Sequence, residues 1–163
     1  MNQIKVSENF MLSEFQCRHC GTVILYSELL AKLQKLRTYL GKPVVINSGY
    51  RCEEHNRAVG GAANSYHMRG MAADISVEGH TPYRLAELVD DLDFGGIIIY
   101  NNFVHVDVRS QRWRGGDWSQ ESSTTNGGSD SSEQEGSPSE KQSFIWTLLR
   151  RFLTRLGFMK NVM

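Results

Sequence analysis

The chain has 163 residues, with 18 basic and 18 acidic side chains, so its formal net charge is zero. A general nucleic-acid binder carries a basic excess, which argues against that class. Hydrophobic residues make up 40% and charged residues 22%, enough for a real core and against wholesale disorder.

The zero conceals a division. Residues 1–118 are balanced. Residues 119–142 hold five acids (Glu121, Asp130, Glu133, Glu135, Glu140) against Lys141, and residues 143–163 hold Arg150, Arg151, Arg155 and Lys160 with no acid. A split of this kind predicts three parts: a body, an acidic linker and a basic tail. Cys17, Cys20 and Cys52 are too few for a disulfide-built scaffold, and their odd number leaves at least one thiol unpaired. The first fifteen residues contain no apolar run of signal-peptide length, and no stretch reaches about 18 uncharged apolar residues. The expectation is synthesis in a (host) cytoplasm without a signal peptide.

In chain order, Ser13 and Glu14 open a short segment that leads into Cys17-Arg18-His19-Cys20-Gly21. Leucines at 29, 30, 33, 36 and 40 have helical spacing, which predicts a helix over 27–40 with Ser27 as N-cap and Gly41-Lys42-Pro43 as its stop. VVIN (44–47) reads as a short buried strand, and the stretch with Gly49, Gly60 and Gly61 reads as loop. AADISV (72–77) predicts a strand, and PYRLAELVDDL (82–92) a helix with Pro82 at its start. GGIIIY, Asn101-Asn102 and FVHVDV predict a hairpin closed by a primed two-residue turn, since Asn tolerates positive φ. The body ends near Trp118. Residues 119–142 contain eight Ser, three Gly and no large apolar residue, a flexible linker by composition. In the tail, Ile145, Leu148, Leu149, Phe152, Leu153 and Leu156 share one helical face, and Thr147, Arg150, Arg151 and Thr154 the other. That pattern predicts a basic amphipathic helix over 143–163. Its expected partner is an anionic membrane surface. Packing on the body or on a second copy is the plainer alternative.

The segment most informative about chemistry is 48–74. His67 and Asp74 stand seven residues apart with Gly70 between them to turn the chain. Alternation along 103–108 puts Val104, Val106 and Val108 toward a core and leaves Phe103, His105 and Asp107 on the other face. Two imidazoles and a carboxylate form a catalytic zinc set, with a fourth position left for water.

These residues resemble a known family. Ser65-x-His67-x-x-Gly70-x-Ala72-x-Asp74, the flanking Ser48 to Arg51 with His55-Asn56, and Val104 to Asp107 are similar to the zinc D-alanyl-D-alanine carboxypeptidases and phage cell-wall endopeptidases, which share the hedgehog-domain fold. The likeness runs from about Leu12 to Trp113. It implies an α+β fold, a small and mostly antiparallel sheet with helices on one side. It also implies zinc on His67, Asp74 and His105, with Arg51 on a substrate carboxylate or the developing oxyanion and Ser65 lining the pocket. The activity implied is metal-assisted hydrolysis of peptidoglycan stem peptides, with phage lysis or passage through the wall as one setting.

The chain departs from that pattern at one place. Several members carry an acid three residues before the last histidine ligand, where this chain has Asn102, which cannot take a proton. Asp107 is the substitute acid–base group, or else it orients a ligand; Glu78 and His80 are further candidates. Arg51 as a plain ion-pair residue is the structural alternative to a catalytic role. His55 reads as a loop hydrogen-bonder, and Trp113 and Trp118 as closing the core or its lid. One C-x-x-C is a weak zinc signal. A thiol cluster or a disulfide is expected at Cys17, Cys20 and Cys52, with a second zinc as the alternative. Two other functions remain open: a catalytically inactive zinc-binding module of the wall or a virion, and a membrane-active protein working through its tail.

Overall fold

The computed structural model describes residues 3–118; the linker and the basic tail, 119–163, lie outside the described residues. The helix over 27–40 is α1 (Ser27–Leu40), and it buries Leu29, Leu33 and Leu36 completely. Each such leucine contributes about 1.5–3 kcal/mol by leaving water. The helix stops at Gly41, whose φ of 64° only glycine adopts freely, and whose N–H bonds back to the Arg37 carbonyl. Ser27 is the first helical residue and not the cap; Tyr26 holds that place with no side-chain cap.

Strand β1 (Val44–Ser48) leads to α2 (Glu53–Ala58), a 3₁₀ turn (Tyr66–Arg69), β2 (Ala72–Val77), α3 (Pro82–Asp90), β3 (Gly96–Ile99), β4 (Val104–Asp107) and β5 (Trp113–Gly115). The sheet order is β1-β2-β4-β3-β5, antiparallel throughout except for the parallel β3–β5 pair. This is the expected α+β arrangement. Ala73, Ile75, Val77, Ile97, Val104 and Val106 form one sheet face and share the core with the buried residues of α1 and with Leu85, Ala86 and Val89 of α3. The 3₁₀ turn that carries His67 lies over the opposite face, while α1, α3 and a short 3₁₀ helix, Leu12–Phe15, which buries Phe15, are on the core side.

Four local readings are corrected. β1 is buried on one face only, with Val45 51% exposed at the sheet edge. The stretch read as loop contains α2 and the 3₁₀ turn. The sequence EEHNRA has too little apolar content to give a helical stripe, and its cap is the Cys52 sulfur accepting the His55 N–H. The hairpin forms, with the Tyr100 N–H on the Phe103 carbonyl at 3.0 Å and the two rings stacked at 4.5 Å. Neither Asn101 nor Asn102 has a positive φ, however; among the described non-glycine residues only Asp93 does. Trp113 is 54% exposed and closes nothing, whereas Trp118 packs against the core.

Among the described residues no helix is long and apolar enough to cross a membrane.

Candidate metal centre

Register places the site. Asp74 on β2 is the cross-strand partner of His105 on β4, and Ala72 that of Asp107. Both pairs face away from the valine core. On the other side of β2, the β1 ladder slips between Ile46 and Ser48, leaving Asn47 as the extra residue of a bulge. The slip brings Ser48 opposite Asp74. The chain then passes through Gly49, where a Cβ would stand 2.6 Å from the Phe15 Cα, and delivers Arg51 beside the same carboxylate. His67 arrives from the 3₁₀ turn. Ser65 caps that turn by accepting the His67 N–H at 3.3 Å, and Gly70 ends it with φ 67°.

The three expected ligands converge. His67 Nε2 lies 3.1 Å from Asp74 Oδ1 and 3.0 Å from His105 Nδ1, and His105 Nδ1 lies 3.0 Å from Asp74 Oδ1. All three residues are buried. Their outer contacts fix the tautomers. His67 Nδ1 donates to the Gly49 carbonyl at 2.7 Å, which leaves Nε2 with a bare lone pair. His105 Nε2 donates to Asp107 Oδ2 at 3.2 Å, which leaves Nδ1 bare. Three electron pairs thus point at one another with no proton assigned between them, an arrangement that a cation resolves. A point roughly 2.0–2.2 Å from all three corners exists for a triangle of this size, the length of zinc–nitrogen and zinc–oxygen bonds. Two imidazoles and one carboxylate match zinc in chemistry as well as in size.

Without a cation the cluster is electrostatically divided: burial favours a neutral His67, while the two carboxylates favour a charged His105. Burial lowers the pKa of His67 below the usual histidine value, against the pull of Asp74. Burial pushes His105 the same way, but its bonds to Asp107 and Asp74 outweigh that and raise it. Burial would raise Asp74, yet the two imidazoles hold it well below the carboxylate range. The second Asp74 oxygen is paired with Arg51 Nη2, and Arg51 Nε donates to Ser48 Oγ at 2.8 Å.

Asp107 is fully buried. It touches His105 on the ring nitrogen away from the other two ligands, and it accepts the Arg109 backbone N–H at 3.0 Å and Nε at 2.8 Å, with Nη2 on its other oxygen. Of the two roles the sequence leaves open for it, this geometry favours orienting His105 over moving protons. Asn102 lies in the exposed hairpin turn. Glu78 and His80 follow the far end of β2, about 13 Å along the strand from Asp74, and do not join the cluster. Sequence reasoning missed Arg109 and Gly96. Arg109 had no motif to announce it. Gly96 is the β3 partner of Asp107, and a Cβ there would collide with the Asp107 carboxylate.

The profile of the family described as Peptidase M15 matches residues 7–107. The chain belongs to the peptidase M15 family. It is 36% identical over 93 residues to the peptidoglycan L,D-endopeptidase MepK of Escherichia coli, covering 52% of this chain and 51% of that one. The probable MepK of Haemophilus influenzae is 32% identical over 98 residues, 53% of each chain. The zinc D-Ala-D-Ala carboxypeptidase of Streptomyces albus G is 40% identical over 68 residues, 41% of this chain and 27% of that enzyme. The chain therefore spans about half the length, or less, of the curated relatives it matches.

Proposed function

We propose that this M15 protein is a zinc-dependent hydrolase of peptidoglycan stem peptides. The observation that carries the reading is the meeting of three metal-ligating atoms, on His67, Asp74 and His105, within 3.1 Å of one another. The names of its relatives, peptidoglycan endopeptidases and a zinc carboxypeptidase, support the substrate class.

His67 Nε2, Asp74 Oδ1 and His105 Nδ1 would hold the metal, and zinc there would supply Lewis-acid chemistry for peptide-bond hydrolysis. Arg51, tied to Asp74 and Ser48, offers its guanidinium to a substrate carboxylate or to charge developing on the scissile carbonyl. Gly49 and Asp107 hold the two imidazoles in the tautomers that ligation requires. Ser65 lines the pocket wall and keeps His67 in place through its cap.

A second reading, a metal-binding wall module without turnover, is favoured by one observation. The acid position before His105 is Asn102, and Asp107 is occupied by Arg109 and His105.

The test is mass spectrometry of defined muropeptides after incubation with zinc-loaded protein, with and without chelator. Chelator-sensitive loss of a terminal D-Ala marks a carboxypeptidase, and cleavage between peptides marks an endopeptidase. Intact muropeptides alongside bound zinc favour the silent module.

Residues 143–163 lie outside the described residues. Their basic amphipathic pattern supports a membrane-surface anchor that would keep the body near its substrate.

A further inference from the structure

The described residues hold a second convergence of metal-ligating groups, distinct from the histidine–aspartate cluster. The sulfurs of Cys17, Cys20 and Cys52 all lie within 4.8 Å of one another. No disulfide joins any of them: of the two expected arrangements, a thiol cluster or a disulfide, the cluster is the one present. Cys17 and Cys20 belong to a tight loop closed by the Cys17 N–H on the Thr22 carbonyl (2.8 Å) and the Gly21 N–H on the Cys17 carbonyl (2.9 Å), with Gly21 at φ 73°. The Cys52 N–H reaches the Cys17 sulfur at 3.4 Å, and a sulfur that accepts a backbone N–H is better able to carry negative charge.

Two imidazoles stand beside the thiols. His55 Nδ1 is 3.3 Å from the Cys17 sulfur, and His19 Nδ1 is 3.4 Å from that of Cys52. Three sulfurs this close resist ionising together unless a cation joins them.

We propose that Cys17, Cys20 and Cys52 bind a second, structural cation of the zinc class, completed by one of the flanking imidazoles. Three thiolates and one imidazole form a closed tetrahedral set, suited to a metal that holds the fold and not to one that needs an open position. Binding displaces the thiol protons and forms metal–sulfur bonds with no redox step. The site clamps the N-terminal loop to the segment that begins α2. That segment carries Arg51 next to Cys52, and Phe15 already holds it through the Tyr50 N–H at 2.9 Å. The proposal does not depend on the catalytic reading, since either metal site can fail alone.

The test uses the full chain, purified under reducing conditions, loaded with zinc and freed of excess metal. Elemental analysis should give two zinc ions per chain, one of which persists in His105→Ala and one of which is lost in Cys20→Ser, a variant at an exposed position. Cobalt(II) should give sulfur-to-metal charge-transfer absorption in His105→Ala and lose it in Cys20→Ser. The three thiols should resist alkylation until chelator is added. One zinc per chain with none left in His105→Ala, free alkylation of the zinc-loaded chain, or an intact mass two hydrogens light from a disulfide would each overturn the proposal.

Discussion

His105 Nε2 lies 3.2 Å from Asp107 Oδ2, on the opposite side of the ring from the nitrogen that meets Asp74 and His67. One strand thus supplies both a candidate ligand and, two residues on, the carboxylate that sets that ligand's proton. Asp107→Asn should therefore weaken zinc affinity about 10–100-fold and keep most turnover at saturating zinc. A general acid–base group would behave in the reverse way, holding zinc while turnover falls about 10²–10⁴-fold. Competition with a chromophoric chelator, combined with muropeptide turnover, separates the two.

Gly96 offers a test that touches no ligand. A Cβ on Gly96 would strike the Asp107 carboxylate, so Gly96→Ala must displace that carboxylate from His105 and Arg109. Lower zinc affinity together with a lower Tm is expected. Unchanged metal binding would show that Asp107 is not needed to position His105.

Arg51→Lys keeps the charge but loses the planar fork that reaches Ser48 and Asp74 together. A charge-assisted hydrogen bond is worth about 1.5–3 kcal/mol, which is roughly a 10- to 150-fold loss in kcat/KM. Steady-state kinetics on a muropeptide with a free carboxylate should show the loss. A purely structural ion pair would lower Tm and leave KM unchanged.

Acid should destabilise the metal-free protein in a defined direction. The pKa of Asp107 is lowered by His105 and Arg109 against the effect of burial, and that of Asp74 by its imidazole partners. A carboxylate depressed in the folded state adds stability that is fully present above its unfolded pKa of about 4. That stability is lost as pH falls toward the folded value. The Tm of chelator-treated protein should therefore drop as pH falls below about 4. Asp107→Asn, which cannot titrate, should flatten that limb.

The tail prediction rests on sequence alone. Replacing Leu149 and Phe152 with Glu in the full chain should abolish co-sedimentation with anionic liposomes, and salt should weaken binding of the parent chain. Tail-dependent dimerisation without lipid binding would favour the plainer helix-pairing alternative.

The sequence by itself determined much of this protein because the signals were local and periodic. Leucine spacing marked α1 to its ends, alternation put His105 and Asp107 opposite the valines, and the Ser65–Asp74 signature together with Val104–Asp107 picked out three side chains that meet in space. α2 escaped because six mostly polar residues leave no apolar stripe, and β5 because three residues are too few to alternate. Only the tertiary structure decided what the partners do. Arg109 saturates Asp107, Gly96 makes room for it, and Gly49 lends a carbonyl to His67. Cys52 comes from the far end of β1 to join Cys17 and Cys20. These relations depend on register and on close backbone approach between distant segments, and nothing in the spacing of residues along one chain encodes them.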